Sequence, residues 1–163
     1  MIDFGLSKFF KNPNGEHKPL GNNKGFVGTP RYASRNAHLG LTQSRRDDLE
    51  ALGYLVLFFL NGKLPWQNIK ASGKVQKHNM LYQLKNNIGM DQLCESIPTE
   101  FQLYFLHIRH LGYEQKPDYQ RLRSLFLKLA HKKGITIDSR FDWDTKQKVL
   151  FYCQQNLLIK LVS

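Results

Sequence analysis

One stretch constrains this chain more than any other: SRRDDLEALGYLVLFFLNG, Ser44 to Gly62. Ser44 and Asp47 read as a helix start, with a serine at the cap and acids in the first turn, where carboxylates offset the positive end of the helix dipole. From Asp48 to Leu60, apolar residues fall on nearly every side, the pattern of a helix buried all round rather than a surface one. Asn61-Gly62 supplies the stop, and Pro65 prevents continuation. A helix of this kind has to be wrapped by other elements.

Those other elements also read as helices. Apolar spacing of three and four predicts helices over Val75–Asn86, Met90–Ser96, Glu100–Leu111 and Asp118–His131. Pro98 and Pro117 mark boundaries, with Gly112 and Gly134 as stops. The aromatic cluster Phe101, Tyr104 and Phe105 is expected in the core. Strand-like alternation is nearly absent, apart from a short piece around Ile135–Ile137. Between Leu6 and Gly28 the sequence is rich in Gly, Asn, Lys and Pro, a long polar loop of the kind that is usually functional or mobile. No internal repeat and no dividing linker is visible, and 41% hydrophobic residues in 163 are enough for one core. The expectation is a mainly α fold.

The outlying number is a formal charge of +11. It suits phosphorylated, acidic or nucleic-acid partners without choosing among them. The bases are scattered, with only short pairs such as Arg45-Arg46 and Lys132-Lys133, which argues against nucleic acid. The two cysteines, Cys94 and Cys153, form no CxxC, so a reduced, intracellular protein is expected. Polar residues as early as Asp3 and Lys8 do not match a secretory leader. The longest apolar stretch, Ala51–Leu60, is about half of what a membrane span needs. His107 and His110 lack a third ligand nearby and read as surface or partly packed side chains rather than a metal site.

The chemistry-bearing residues follow one another in a telling order. The chain opens with Asp3-Phe4-Gly5, and a tripeptide alone is weak evidence. GTPRYAS (Gly28 to Ser34) comes next, then SRRDDLEALGY (Ser44 to Tyr54), LPWQ (Leu64 to Gln67), KPDY (Lys116 to Tyr119) and FDW (Phe141 to Trp143). Together these resemble the C-terminal lobe of the casein kinase I family of protein serine/threonine kinases, from Met1 to about Asp144. GTPRYAS and SRRDDLEALGYLV carry the most specific likeness. Ser34-Arg35-Asn36 stands where most kinases have Ala-Pro-Glu, as the family's Ser-x-Asn does.

The resemblance implies the following roles. Asp3 would hold the magnesium of Mg-ATP, a hard cation suited to carboxylate oxygen. Phe4 would pack under the lobe interface, and Gly5 would let the backbone turn. Lys8–Asn36 would be the activation segment, with Gly28 and Thr29 near the peptide substrate. Asp48 would hydrogen-bond the backbone of the catalytic loop; independently, it reads as a helix-dipole acid. Arg31 and Lys74 would form an anion pocket for phosphorylated or acidic substrates, a guanidinium fork beside a point charge. The whole-length family phosphorylates Ser and Thr in such substrates, in the cytoplasm or nucleus.

Phosphoryl transfer also needs a Gly-rich loop, an ATP-anchoring Lys and a catalytic loop with its base Asp and metal-binding Asn. Residues 1–163 contain none of these. The expectation is that this chain alone neither binds ATP well nor transfers phosphate. Met1 stands where the family continues an apolar strand, which fits a shortened record of a kinase. The alternatives are a non-catalytic binding or scaffold module, and a structural component of a larger assembly. The lobe face that the missing portion normally covers would be exposed, to be covered by a protein partner or by the C-terminal extension, or else to leave the fold marginal. Residues 145–163 have no counterpart in the family; the spacing of Val149, Leu150, Cys153, Leu157 and Leu161 is compatible with one more amphipathic helix.

Overall fold

A computed structural model describes residues 4–22 and 25–138. Its fold is mainly helical: α1 (Arg35–His38), α2 (Arg45–Asn61), α3 (Lys74–Asn87), α4 (Met90–Leu93), α5 (Thr99–Arg109) and α6 (Tyr119–Lys132). Each of the four longer helices falls where apolar spacing places it. Asp3, the FDW tripeptide and the extension 145–163 lie outside the described residues.

α2 starts and stops as its sequence dictates. Asp47 Oδ2 accepts the Ser44 N–H at 2.8 Å, and Gly62 closes the helix with a left-handed φ of 68°. α2 packs most extensively on α5, which in turn carries α6. The shared core holds Tyr54, Leu57, Trp66, Phe101, Tyr104, Phe105, Ile108 and Leu129. Burying each such large side chain contributes about 1.5–3 kcal/mol. At α6, Asp118 Oδ1 accepts the Arg121 N–H at 2.9 Å, and Leu122 and Leu129 face inward at a spacing of two helical turns.

Three expectations need correction. α2 is central but not buried all round: Leu52 and Phe59, seven residues apart on one side, are about half exposed. None of the described elements covers that stripe. The helix expected over Met90–Ser96 ends at Leu93, and Ser96 takes a left-handed φ of 62°, which a helix cannot contain. Ile135–Ile137 forms no strand; among the described residues it has no neighbouring strand to pair with.

Candidate functional site

The two most specific sequence stretches meet in space. Ser34 Oγ donates to Asp47 Oδ1 at 2.8 Å, and Asn36 Nδ2 donates to the same oxygen at 2.9 Å. Ser34 Oγ also accepts the Ala37 N–H at 3.1 Å, capping α1. Asp47, at the first turn of α2, is therefore a buried carboxylate satisfied by the Ser-x-Asn stretch on one oxygen and by Ser44 on the other. Glu50, one turn on, accepts from Arg35 Nε at 3.0 Å and from the Tyr54 hydroxyl at 2.6 Å. Burial first, then the charge of Glu50, raises the Tyr54 pKa well above its ordinary value.

The preceding turn is fixed from below. Lys85 Nζ, on a fully buried side chain, donates to the Pro30 carbonyl at 2.9 Å and the Ala33 carbonyl at 2.6 Å. Trp66 Nε1 donates to the Arg31 carbonyl between them at 2.9 Å. Three of four consecutive carbonyls are thus held by donors from the helical body. The Lys85 ammonium also lies 4.9 Å from the Tyr54 ring and 5.1 Å from the Trp66 ring, within cation–π range. Burial lowers its pKa from 10.5 to about 7, while the Glu50 charge opposes that shift. Gly28 enters this turn with φ of 108°, a conformation that a side chain would strain. Thr29 supplies the carbonyl that accepts the Tyr32 and Ala33 N–H groups at 3.0 Å each.

Arg31 turns outward and lays its guanidinium 5.3 Å from the centre of the Phe58 ring. Lys74, also exposed, is the first residue of α3. The two bases stand on separate elements. His38 Nε2 lies 3.1 Å from Lys85 Nζ, and His38 Nδ1 lies 3.4 Å from His78 Nδ1. Phe26 stacks on His38 and meets His78 edge-on. None of the Lys85, His38 or His78 roles was legible in the sequence: a lysine in a last helical turn reads as a surface base favoured by the dipole. The one available signal was that Lys85 follows Leu81 by four residues, on the inward face.

A cleft of about 530 Å³ opens at the start of α2, walled by Leu6, Phe9, Lys18, Gly28, Asp48 and Tyr113. Phe9 is 87% exposed, and Phe4 and Leu6 are about two-thirds exposed. Phe4 thus does not pack under any described element; Gly5 lies in the adjacent turn. Asp48 is exposed in overall area and lines the cleft wall. Desolvation first, then the charge of Asp47, raises its pKa. Among the described residues no three His, Cys, Asp or Glu side chains gather to hold a metal. The cleft offers one carboxylate, Asp48, beside two lysines, Lys8 and Lys18. No helix among them is long and apolar enough to cross a membrane. No protein-family model matches the chain.

Proposed function

We propose that residues 1–163 belong to the substrate-binding lobe of a casein kinase I-like protein serine/threonine kinase. In this reading the chain presents an activation segment to acidic or phosphorylated peptides and, on its own, does not transfer phosphate. One observation carries it: GTPRYAS-Arg-Asn and SRRDDLE, the stretches that bear the family resemblance, form a single buried network through Ser34, Asn36 and Asp47. Such a network gives a substrate-facing turn a fixed shape, and Arg31 projects from it into solvent. Asp48, on the cleft wall with a raised pKa, suits a carboxylate that accepts hydrogen bonds from a catalytic loop supplied by another segment.

The reading is tested with fluorescent peptides. An acidic or phosphoserine peptide is expected to bind the chain, and Arg31→Ala combined with Lys74→Ala is expected to weaken it. Unchanged binding in that double variant refutes the anion-reading role. Mg-ATP is expected to leave the melting temperature unmoved. A nucleotide-dependent rise would show that the chain holds ATP by itself. Genomic DNA upstream of Met1 is expected to continue in frame into catalytic-loop and Gly-rich segments.

A second reading, a non-catalytic binding or scaffold module, draws on the exposed Phe4, Leu6 and Phe9 beside the cleft. An upstream stop codon in the same frame, together with peptide binding, would favour it.

A further inference from the structure

Three helices each bring an arginine to one small cavity of about 160 Å³. Arg35 opens α1, Arg46 lies in the first turn of α2, and Arg109 ends α5; Glu50, Tyr82 and Asn86 contribute to the polar wall. Space of that size is ample for a phosphate or sulfate, since a single water needs only about 10–15 Å³ by the same kind of measure.

The charges around it do not balance. Arg35 Nε is paired with Glu50 Oε1 at 3.0 Å, but that carboxylate also accepts from the Arg35 N–H and the Tyr54 hydroxyl. Arg46 Nε stands 3.8 Å from Asp47 Oδ2, a carboxylate already taken up by Ser34, Asn36 and Ser44. Arg46 also donates to the Leu111 carbonyl at 3.1 Å. Arg109 reaches the carbonyls of Lys85 and Ile88 at 3.0 and 3.4 Å. The Nε–H groups of Arg46 and Arg109 are buried with no hydrogen-bond acceptor among the described residues. Burial and then the charge of Arg35 lower the Arg109 pKa, as expected of cations held close together. Three guanidiniums therefore share two carboxylates, and both carboxylates have other donors to satisfy. Three guanidiniums from three helices line this one cavity, and the planar forks of such groups suit the oxygens of a tetrahedral anion.

We propose that this cavity binds a free oxyanion of phosphate size, which cross-links α1, α2 and α5 by neutralising the surplus arginine charge. Arg31 and Lys74 are not among its walls, so the site stands independently of any peptide-binding role.

The test uses the full chain with inorganic phosphate and with sulfate, each compared with sodium chloride at equal ionic strength. Saturable one-site binding by calorimetry is expected, with a rise in melting temperature that chloride does not reproduce. Arg35→Gln is expected to weaken binding by about tenfold or more, equivalent to about 1.4 kcal/mol. Should Arg35→Gln fail to fold, Asn86→Asp decides. It sets a carboxylate at the exposed edge of the cavity and is expected to weaken phosphate by a similar factor. Arg31→Ala combined with Lys74→Ala is expected to leave phosphate binding intact. The proposal is overturned if chloride gives the same stabilisation, if no saturable heat is seen, or if Asn86→Asp binds phosphate unchanged. Binding of a phosphoserine peptide without binding of inorganic phosphate overturns it as well.

Discussion

Lys85 Nζ donates to the carbonyl of Ala33 across 2.6 Å, from a side chain that water does not reach. This contact ties the end of α3 to the turn that leads into α1. Its three polar neighbours, the Pro30 and Ala33 carbonyls and His38 Nε2, equal in number the three protons of an ammonium. Two opposing effects meet here. Taking an ammonium out of water is costly, while three hydrogen bonds and two aromatic faces offset that cost. Lys85→Met keeps the volume and removes the donors, leaving the buried Ala33 carbonyl without its side-chain partner. A destabilisation of about 1–3 kcal/mol is expected, read from urea denaturation. A more stable Met variant would mean that the cost of desolvating the ammonium outweighs its contacts.

The neighbouring His38 sets the acid limit. It faces Lys85 on one side and His78 on the other, with Phe26 stacked on its ring. Burial first, then the charges of Lys85 and His78, lower its pKa from 6.5 to about 3. A protonated His38 would turn a donor toward the donors of Lys85, so the folded chain keeps His38 neutral. Below pH 6.5 the unfolded chain takes up this proton and the folded chain does not. Stability is therefore lost as pH falls from 6.5 toward 3, with a slope approaching about 1.4 kcal/mol per pH unit for one proton. His38→Gln does not titrate, and its stability is expected to fall less steeply over that window. Parallel acid limbs in the two proteins would contradict this.

How far the sequence reveals the fold depends on what each residue needs in order to be understood. The long helices could be read because their signals are local: apolar spacing, Ser44 before α2, Gly62 after it, Pro98 before α5. The exposed stripe of Leu52 and Phe59 could not, because hydrophobicity records what could be buried rather than what covers it. Ser34 and Asn36 stand out as a pair in the sequence, but their shared acceptor does not. Asp47 and Asp48 are adjacent acids of one type; only the fold makes one a buried hub and leaves the other on the cleft wall. Arg35 gives no signal at all as a cavity residue, since Arg46 and Arg109, its companions there, are distant in sequence.

Asp48 is expected to lower stability where it stands. An acid whose folded pKa is raised holds its proton more tightly in the folded chain than in the unfolded one. Stability is thus lost as pH rises from the ordinary carboxylate range through the raised value, and the loss persists at neutral pH. Asp48→Asn removes the repulsion with Asp47 and the cost of desolvating a charge. A higher melting temperature is expected at pH 7, shrinking toward zero at pH 3. A cost of this kind is common at positions retained for function rather than stability. A lower melting temperature at pH 7 would instead mean that attraction to the helix dipole outweighs both costs.

At Gly53, α2 runs close against the rings of α5. A Cβ there would lie 2.6 Å from Phe105 Cζ and 2.9 Å from Tyr104 Cε1. Alanine would gain about 1 kcal/mol in helix propensity over glycine. Against that, overpacking a core typically costs about 1–3 kcal/mol, and both rings are buried. Phe105 is buried with its ring centre 5.5 Å from that of Tyr54, while Tyr104 holds the Leu49 carbonyl at 2.9 Å through its hydroxyl. The clash should exceed the propensity gain, so Gly53→Ala is expected to destabilise by about 1–2 kcal/mol in urea denaturation. Phe105→Leu withdraws the ring end that lies nearest the added methyl. The double variant is therefore expected to be more stable than the sum of the two single effects, as contacting residues show in a mutant cycle. Strict additivity would place the strain at Tyr104, or show that α2 and α5 can separate at little cost.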